Sequence, residues 1–368
     1  MLKNSNNWCP EVYRGIFVDR HNDDQLFVAP CCQAHGGLES SADFDFAKSK
    51  TLNNIREKFS RGERAEECRL CWTMEDLGQK SRRQSSIEFF GVDPSEEVVL
   101  ETIDHSSTWA CNLSCVMCGP KNSSTWAKEL NLNKKDLATL GRSFQSRNNI
   151  LDQLDLSNVR RVHFNGGEPF LNDDQVNLIQ RLDKTNQFHD MFISYNSNGT
   201  LWPSDSMIKL WERSKLVKVF FSIDATETAF EYIRYPANWQ QTQQNLLRMR
   251  DELPSNVVFG FNVSVGRHNV LELSKVIDWF NANLKINREG DSSDFCIQFV
   301  TNFDMRLLSD RVKQAALKIL QNYPEATTVC NYLDTGHEGE THWLQELDNI
   351  DQRRGTNWRQ SLQLGKYY

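Results

Sequence analysis

The stretch WACNLSCVMCGP, residues 109–120, contains three cysteines within eight positions: Cys111, Cys115 and Cys118. This spacing lets three thiolates in one loop converge on a single metal ion or metal cluster. A closed structural zinc site needs four ligands, whereas a cubane iron–sulfur cluster held by three thiolates keeps one iron open for a substrate. No further cysteine or histidine follows closely. The spacing therefore favours a cluster, with a zinc knuckle that borrows a distant ligand as the alternative.

The composition indicates a chain with enough apolar residues for a large core. Of its 368 residues, 39% are apolar and 11% aromatic, and the net charge is −7. An acidic chain has no general attraction for phosphate backbones or anionic membranes, so we expect neither a nucleic-acid nor a membrane partner. The sequence shows neither an apolar signal segment nor an apolar run of membrane-spanning length. We therefore expect a cytoplasmic protein, where thiols stay reduced.

Six apolar segments alternate with helical stretches from residue 97 onward. The predicted strands cover residues 97–104, 160–165, 191–196, 218–224, 257–265 and 294–300. Strands that alternate with helices form a parallel sheet with right-handed crossovers, and six such units are too few to close an eight-stranded barrel. We therefore predict an α/β fold with an open partial (β/α)6 barrel, and a polar insertion at residues 132–148.

Residue types that suit ligand binding follow several of these strands. Gly166 and Gly167 allow a close approach of the backbone to a ligand, and the carboxylate of Glu168 can bind an ammonium group. Asn198 and Ser222 lie where strands end, the edge at which parallel sheets bind ligands. The alternative is a purely structural role, because such residues also cap helices and turns.

The N-terminal third carries a second group of cysteines. Residues 13–32 are predicted to form two short strands around a polar turn, and residues 51–63 a helix. Four thiolates suit either zinc or a fully ligated cluster, and the predicted ligands are Cys9, Cys31 or Cys32, Cys68 and Cys71. Adjacent strand residues point to opposite faces, so we favour Cys31 over Cys32.

The cysteine loop, followed by FNGGEP at residues 164–169, resembles the radical S-adenosylmethionine (radical SAM) superfamily. The family pattern is Cys-x3-Cys-x2-Cys after the first barrel strand and a Gly-Gly-Glu-Pro-like turn after the second. The resemblance implies a [4Fe–4S] cluster whose open iron binds S-adenosylmethionine. It also implies a set of cofactor contacts: Gly166, Gly167, Glu168, Pro169, Asn198, Ser222, Asp224 and Asn262, with Met117 where many members carry an aromatic residue.

The N-terminal block resembles the auxiliary-cluster modules called SPASM and twitch, which share its hairpin, its Pro-Cys-Cys and its Cys-x2-Cys-Trp. Such modules usually follow the barrel, whereas here the block precedes it. The resemblance implies one auxiliary cluster, [4Fe–4S] rather than [2Fe–2S]. The expected segments are an auxiliary module at residues 1–95, a barrel at 96–305 and a C-terminal helical extension at 306–368.

The resemblance implies reductive cleavage of S-adenosylmethionine to a 5′-deoxyadenosyl radical that removes a hydrogen from a substrate, with electrons from a donor such as flavodoxin or ferredoxin. Relatives with such modules often modify residues of peptides, so we expect a peptide or protein substrate. The alternatives are oxidation or rearrangement of a small sugar or nucleoside, and a non-catalytic iron–sulfur or zinc protein. Tyr232, Arg234 and Tyr235 are expected either to face the substrate or to pack.

Overall fold

The computed structural model describes residues 7–20, 25–42, 44–91, 95–106, 109–140, 154–171, 174–185, 187–285, 294–336, 339 and 341–368. Within these residues the chain forms nine β-strands. They are β1 Gly15–Arg20, β2 Gln25–Ala29, β3 Gly37–Ser40, β4 Thr102–Ser106, β5 Arg161–Asn165, β6 Phe192–Ser197, β7 Leu216–Phe221, β8 Val257–Val265 and β9 Phe295–Phe299.

The strands form one sheet in the order β3-β2-β1-β4-β5-β6-β7-β8-β9. The N-terminal strands β1, β2 and β3 pair antiparallel, whereas β1 pairs parallel with β4, with Ile16 opposite Ile103. The pairs β4–β5, β5–β6 and β8–β9 are also parallel. Among the described strands the sheet does not close, because β3 and β9 form its two edges. The predicted α/β class with an open parallel sheet is confirmed, and the N-terminal hairpin continues that sheet.

Fifteen α-helices accompany these strands in the described residues. They are α1 Pro10–Arg14, α2 Lys50–Ser60, α3 Arg69–Asp76, α4 Arg82–Phe90, α5 Ser124–Glu129, α6 Lys134–Thr139, α7 Asp174–Leu182, α8 Asp205–Trp211, α9 Glu227–Ile233, α10 Trp239–Glu252, α11 Leu273–Asn283, α12 Asp310–Leu320, α13 Thr327–Asp334, α14 Trp343–Arg354 and α15 Trp358–Ser361. None of these helices combines the length and apolarity needed to cross a membrane. Helix α6 falls in the predicted insertion, whose residues 141–148 lie outside the described residues.

The first predicted strand, 97–104, differs from the structure because β4 begins later. The residues before β4 bond instead to the end of α1: Val99 N donates to Tyr13 O over 3.2 Å, and Glu101 N donates to Arg14 O over 2.8 Å. The guanidinium of Arg14 also pairs with the Glu101 carboxylate. These contacts with a distant helix satisfy the backbone of this apolar segment in place of a strand ladder.

The chain divides into two compact units. The first comprises Met1–Trp109, Asn131–Tyr195 and Ser204–Val217, and the second comprises Ala110–Leu130, Asn196–Pro203 and Lys218–Tyr368. In the first unit the rings of Tyr195 and Trp211 pack with centroids 5.3 Å apart. In the second unit Phe261 stacks on Trp279 at 5.8 Å and contacts Phe280 at 4.9 Å. Each unit therefore has an aromatic core of its own.

Candidate functional site

The cysteine loop, residues 111–118, lies in the second unit and is held by the start of α5. The hydroxyl of Ser123, which caps this helix, donates to Leu113 O over 2.5 Å. Thr125 Oγ1 donates to the carbonyl of Cys111 over 2.5 Å, and the indole of Trp126 donates to the carbonyl of Cys115 over 2.8 Å. These bonds fix the loop through its backbone carbonyls.

A second segment holds the loop from the end of α9. Ser114 N donates to Tyr235 O over 2.7 Å, and Val116 N donates to Ile233 O over 2.8 Å. These two backbone bonds lie on either side of Cys115 in the loop and on either side of Arg234 in the segment after α9. The side chain of Arg234 is directed at the loop, and its Nη1 lies 3.8 Å from Cys115 Sγ. The sulfur of Cys115 therefore has a cationic hydrogen-bond donor beside it.

Asp224 anchors this arginine. The Asp224 Oδ2 atom accepts from Arg234 Nε over 2.7 Å and lies 2.5 Å from Arg234 Nη2. Its other oxygen, Oδ1, accepts from the backbone N–H of Ser264 over 2.7 Å. Asp224 is fully buried, with 0% of its surface exposed. The sequence suggested Asp224 as a contact of the cofactor, whereas in the structure both of its carboxylate oxygens bind neighbouring protein groups.

The thiols of Cys115 and Cys118 share a hydrogen bond that separates their pKa values. By donating to Cys118, the Cys115 thiol has its pKa raised well above the usual value, and burial raises it further. The same hydrogen bond lowers the pKa of Cys118, and the charge of Arg234 lowers it too, against the opposite effect of burial. Of these two thiols, Cys118 is therefore the one that loses its proton more readily, and the thiolate is the form in which cysteine binds iron.

Asn198, another expected cofactor contact, forms hydrogen bonds with the cysteine loop and its surroundings in the second unit. Its Nδ2 donates to Asn112 Oδ1 over 2.9 Å, and its Oδ1 accepts from the backbone N–H of Thr200 over 2.9 Å. Asn112 in turn donates to the hydroxyl of Thr200 over 2.8 Å. This bonding supports the loop after its first cysteine, so Asn198 has a structural task whether or not it touches a cofactor.

Asn262, Ser222 and Met117 are half-buried in the same unit. Asn262 Nδ2 donates weakly to Asn196 Oδ1 over 3.4 Å, whereas its Oδ1 is buried without a hydrogen-bond partner in the described part of the chain. A buried acceptor without a donor costs about 1–3 kcal/mol. The amide oxygen of Asn262 is therefore suited to a donor group of a bound cofactor, such as a ribose hydroxyl or an ammonium group.

The Gly-Gly-Glu-Pro turn lies in the first unit, after β5. Gly166 and Gly167 have φ angles of +79° and +53°, a region that side chains with a Cβ rarely adopt. Glu168 follows with 0% exposure, and its Oε1 accepts from the backbone N–H of Phe170 over 3.1 Å. Pro169 begins a short 3₁₀ turn. The two glycines thus form a turn that directs the carboxylate of Glu168 into the protein interior.

The N-terminal cysteines come together in the first unit. Cys9 precedes α1, Cys31 follows β2, and Cys68 and Cys71 lie at the start of α3. All four are buried and line one cavity, together with Arg82 and Arg83. Burial raises the pKa of Cys31 to about 12. Burial, followed by the neighbouring Cys68, raises that of Cys9 well above its usual value. Metal binding at such a group must therefore release protons.

Cys32 has different surroundings from Cys31. Its backbone N–H donates to Asp104 Oδ2 over 2.8 Å, and its sulfur accepts from Arg82 Nη1 over 3.4 Å. Cys32 is not among the residues that line the cavity, whereas Cys31 is. The structure thus separates two adjacent thiols that the sequence could distinguish only by the alternation of strand residues.

Trp72 packs beside two of the N-terminal cysteines, Cys9 and Cys68, in one buried cluster. Its indole donates to the carbonyl of Ala65 over 3.0 Å, and the guanidinium groups of Arg64 and Arg83 lie over its ring at 5.2 and 5.0 Å. The ring of Phe59 lies 6.1 Å away. With 6% exposure, Trp72 belongs to the same buried cluster as Cys9 and Cys68.

The donor chemistry of both cysteine groups fits iron–sulfur clusters. Each group consists of thiols, the ligands that such clusters take, and each is buried or half-buried. Within the described residues, no three His, Cys, Asp or Glu side chains are grouped as ligands of a single metal ion. The three thiols of the loop leave one corner of a cubane without a protein ligand, and the four N-terminal thiols leave none.

Residues 106–280, which include the cysteine loop and the Gly-Gly-Glu-Pro turn, match the Radical SAM superfamily model. The chain therefore contains a radical SAM domain, which supports an enzyme. Such a domain implies a [4Fe–4S] cluster and S-adenosylmethionine as cofactors.

Two curated relatives share part of this chain. The GTP 3′,8-cyclase of Clostridium acetobutylicum is 28% identical over 123 residues, which cover 33% of this chain and 34% of the relative. An uncharacterized protein of Methanocaldococcus jannaschii is 26% identical over 196 residues, or 52% of this chain and 60% of that protein. The chain thus spans about a third and about three fifths of the relatives it matches.

Solved structures show more distant similarity. Native anSMEcpe with bound AdoMet aligns with a TM-score of 0.39 and 15% identity, over 68% of this chain and 66% of that chain. Streptococcus suis SuiB aligns with a TM-score of 0.36 and 14% identity, over 84% of this chain and 70% of that chain. At these values the alignments describe a distant likeness of fold.

Proposed function

We propose that this radical SAM enzyme carries an auxiliary iron–sulfur cluster and modifies a residue of a peptide or protein. The observation that supports the auxiliary cluster is the shared cavity of Cys9, Cys31, Cys68 and Cys71 in the first unit. Four thiols from separate segments that line one cavity can act together as ligands of a single group. The module corresponds to residues 1–95, the barrel to 96–305 and the helical extension to 306–368.

In this proposal the cysteine loop holds the catalytic cluster through Cys111, Cys115 and Cys118. The candidate contacts of S-adenosylmethionine remain Gly166, Gly167, Glu168, Pro169, Asn198, Ser222, Asn262 and Met117, whereas both carboxylate oxygens of the expected contact Asp224 already bind protein groups. Two of these residues have a property in the structure that suits binding of the cofactor. The buried carboxylate of Glu168 suits an ammonium group, and the unpartnered Oδ1 of Asn262 suits a hydrogen-bond donor.

When held by Cys111, Cys115 and Cys118, the cluster would supply the electron for reductive cleavage of S-adenosylmethionine, and this cofactor would supply the radical that takes a hydrogen from the substrate. The protein itself binds these cofactors, orients them and shields them from water. The bonds from Ser123, Thr125 and Trp126 hold the loop rigid, and the ion pair of Asp224 with Arg234 fixes a positive charge beside Cys115. Rigid placement of this kind restricts a reactive species to one target.

At the N-terminal site, Cys9, Cys31, Cys68 and Cys71 would hold a [4Fe–4S] cluster with no iron left open, which we prefer to [2Fe–2S] and to zinc. A fully ligated cluster suits electron transfer from a substrate radical, and displacement of one thiolate is needed if it binds substrate directly. Flavodoxin or ferredoxin is the proposed electron donor, and the cytoplasm the proposed compartment.

Relatives with such auxiliary modules often modify residues of peptides, which supports a peptide substrate. A second candidate, a small metabolite such as a nucleotide, is supported by the name of the Clostridium relative, GTP 3′,8-cyclase. The two candidates differ in size and charge, because a nucleotide needs several cationic partners for its phosphates.

The test uses protein that is purified and reconstituted without oxygen. With dithionite and S-adenosylmethionine it should release 5′-deoxyadenosine, and a candidate peptide deuterated at the modified residue should transfer deuterium into that product. GTP serves as the comparison substrate. Absence of 5′-deoxyadenosine from protein with a full complement of iron would refute the proposed reaction, and deuterium transfer from GTP alone would refute the peptide substrate.

A further inference from the structure

We propose that Arg234 is a positioning residue that raises the reduction potential of the cluster held by the cysteine loop, through a charge-assisted hydrogen bond to Cys115 Sγ. This inference rests on the proposed function to the extent that Cys115 must be a ligand. The evidence is the placement of the arginine, which the sequence suggested only as a substrate-facing or packing residue.

The backbone directs this contact. Ser114 and Val116 each donate to a carbonyl of the segment after α9, at Tyr235 and Ile233. The residues between them, Cys115 and Arg234, therefore face each other across a short backbone contact. Arg234 Nη1 lies 3.8 Å from Cys115 Sγ, a distance within reach of a hydrogen bond to sulfur.

The guanidinium is fixed at this position by its opposite edge. Nε and Nη2 of Arg234 bind Asp224 Oδ2 at 2.7 and 2.5 Å, a fork geometry available to arginine and not to lysine. Asp224 is itself held by the N–H of Ser264 at Oδ1, and its backbone carbonyl accepts from Asn269 Nδ2 over 3.0 Å. The remaining nitrogen, Nη1, is the one presented to the sulfur.

Among the titratable groups around Arg234, the carboxylate of Asp224 opposes the effect of the guanidinium on the sulfur, whereas His268 does not. The neighbouring groups that influence it are Asp224, Cys115, Cys118 and His268. Burial, followed by the charges of Arg234 and Arg267, lowers the pKa of His268 to about 3, so this ring is neutral at pH 7. With 8% exposure, Arg234 is also shielded from the water that would screen its charge.

A donor beside a ligand sulfur acts differently on the two redox states. Reduction adds negative charge to a cluster and its thiolates, so a cationic hydrogen bond stabilises the reduced state more than the oxidised state. The potential of a cluster responds to hydrogen bonds at its sulfurs and to nearby charge. Arg234 therefore makes the loop cluster easier to reduce by its electron donor.

The test is a potentiometric titration of reconstituted protein followed by electron paramagnetic resonance. The loop cluster is recognised as the signal that changes when S-adenosylmethionine is added. In Arg234→Gln the equilibrium constant for reduction should fall about tenfold, which is about 59 mV for one electron. In Asp224→Asn the counter-charge is lost, so the potential should move in the opposite direction. The control Arg248→Gln removes an exposed arginine of the same unit that pairs with Glu252, and it should change nothing.

Iron content and circular dichroism are measured for every variant. A change of less than twofold in the reduction constant of both Arg234→Gln and Asp224→Asn, at full iron content, would overturn the proposal. If one variant loses its cluster, the sign of the shift in the other decides, because the two expected shifts are opposite. Failure of the underlying assignment is distinguishable, since Cys115→Ala would then retain the signal that responds to S-adenosylmethionine.

Discussion

Arg354 in helix α14 donates from Nη2 to the backbone carbonyl of Ser114 over 2.6 Å, next to Cys115 in the cysteine loop. Its Nε also binds Glu129 Oε1 over 3.0 Å, and the guanidinium lies 4.7 Å from the ring centres of Trp126 and Tyr235. A helix near the end of the chain thus stabilises a loop more than two hundred residues earlier.

Replacing Arg354 with methionine should destabilise the protein by about 3 kcal/mol, because the partner carboxylate loses a buried cation. The side chain of Arg354 is 2% exposed and that of Glu129 is 16% exposed. Urea unfolding of the reconstituted protein measures this change. The neighbouring Arg353, 36% exposed and 3.5 Å from Glu129, is the matched control, and Arg353→Met should cost no more than about 1 kcal/mol. Equal effects of the two substitutions would contradict this assignment.

The two cysteine groups predict two clusters. Reconstituted protein should contain about eight irons per chain if both are four-iron clusters. Replacement of Cys111, Cys115 and Cys118 with alanine should halve that number, because the N-terminal thiols are unchanged. Iron and zinc are counted together by elemental analysis. One equivalent of zinc with about four irons would show that the N-terminal site is a zinc site.

Glu168→Gln should weaken binding of S-adenosylmethionine about 10- to 100-fold, the loss of a contact between a carboxylate and an ammonium group. Glutamine keeps an oxygen that can accept from Phe170 N, the bond that Glu168 Oε1 makes over 3.1 Å, so the turn should stay folded. Equilibrium dialysis of the reconstituted protein measures the affinity. The control Glu88→Gln changes an exposed carboxylate of the same unit, 65% exposed. An unchanged affinity in Glu168→Gln would mean that the turn is structural only.

Cys31 and Cys32 are adjacent, and they provide a matched pair of variants. Cys31→Ser should remove the metal of the N-terminal site, because Cys31 lines the cavity of the four thiols. Cys32→Ser should retain it, since this side chain contacts Arg82 instead. The measurement is iron content in a background that lacks the three loop cysteines. Loss of metal from Cys32→Ser with retention in Cys31→Ser would reverse the assignment.

The sequence predicted most of the architecture because strands and helices depend on local patterns. Five of the six predicted barrel strands agree with the structure within a few residues at each end. The segment before β4 did not, since its backbone bonds to the end of α1 near Tyr13 and Arg14, and no local pattern reports such a distant partner. Arg234 and Cys115 are 119 residues apart in sequence, so no local pattern predicted their contact either. The radical SAM domain was predictable because the spacing of its motifs is itself the signal.

The N-terminal site should be needed for the reaction on the substrate and not for cleavage of S-adenosylmethionine. Replacement of Cys68 and Cys71 with alanine removes two of the four thiols that line its cavity. Formation of 5′-deoxyadenosine should remain largely intact, because the three thiols of the cysteine loop are unchanged. Product formation from the true substrate should disappear, because the acceptor or binding site for the substrate is lost.

Stability is the confounding factor in this double variant, since loss of a metal site can unfold the module around it. Cys68 and Trp72 belong to one buried cluster with Phe59, Ile55 and Cys9, so unfolding would expose the indole. Tryptophan fluorescence, circular dichroism and the remaining iron content should therefore be measured first. Trp72→Phe is the matched control, because it keeps all four thiols and an aromatic ring beside them, and it should retain both activities. A folded double variant that modifies the substrate at the normal rate would show that the site is a structural clip.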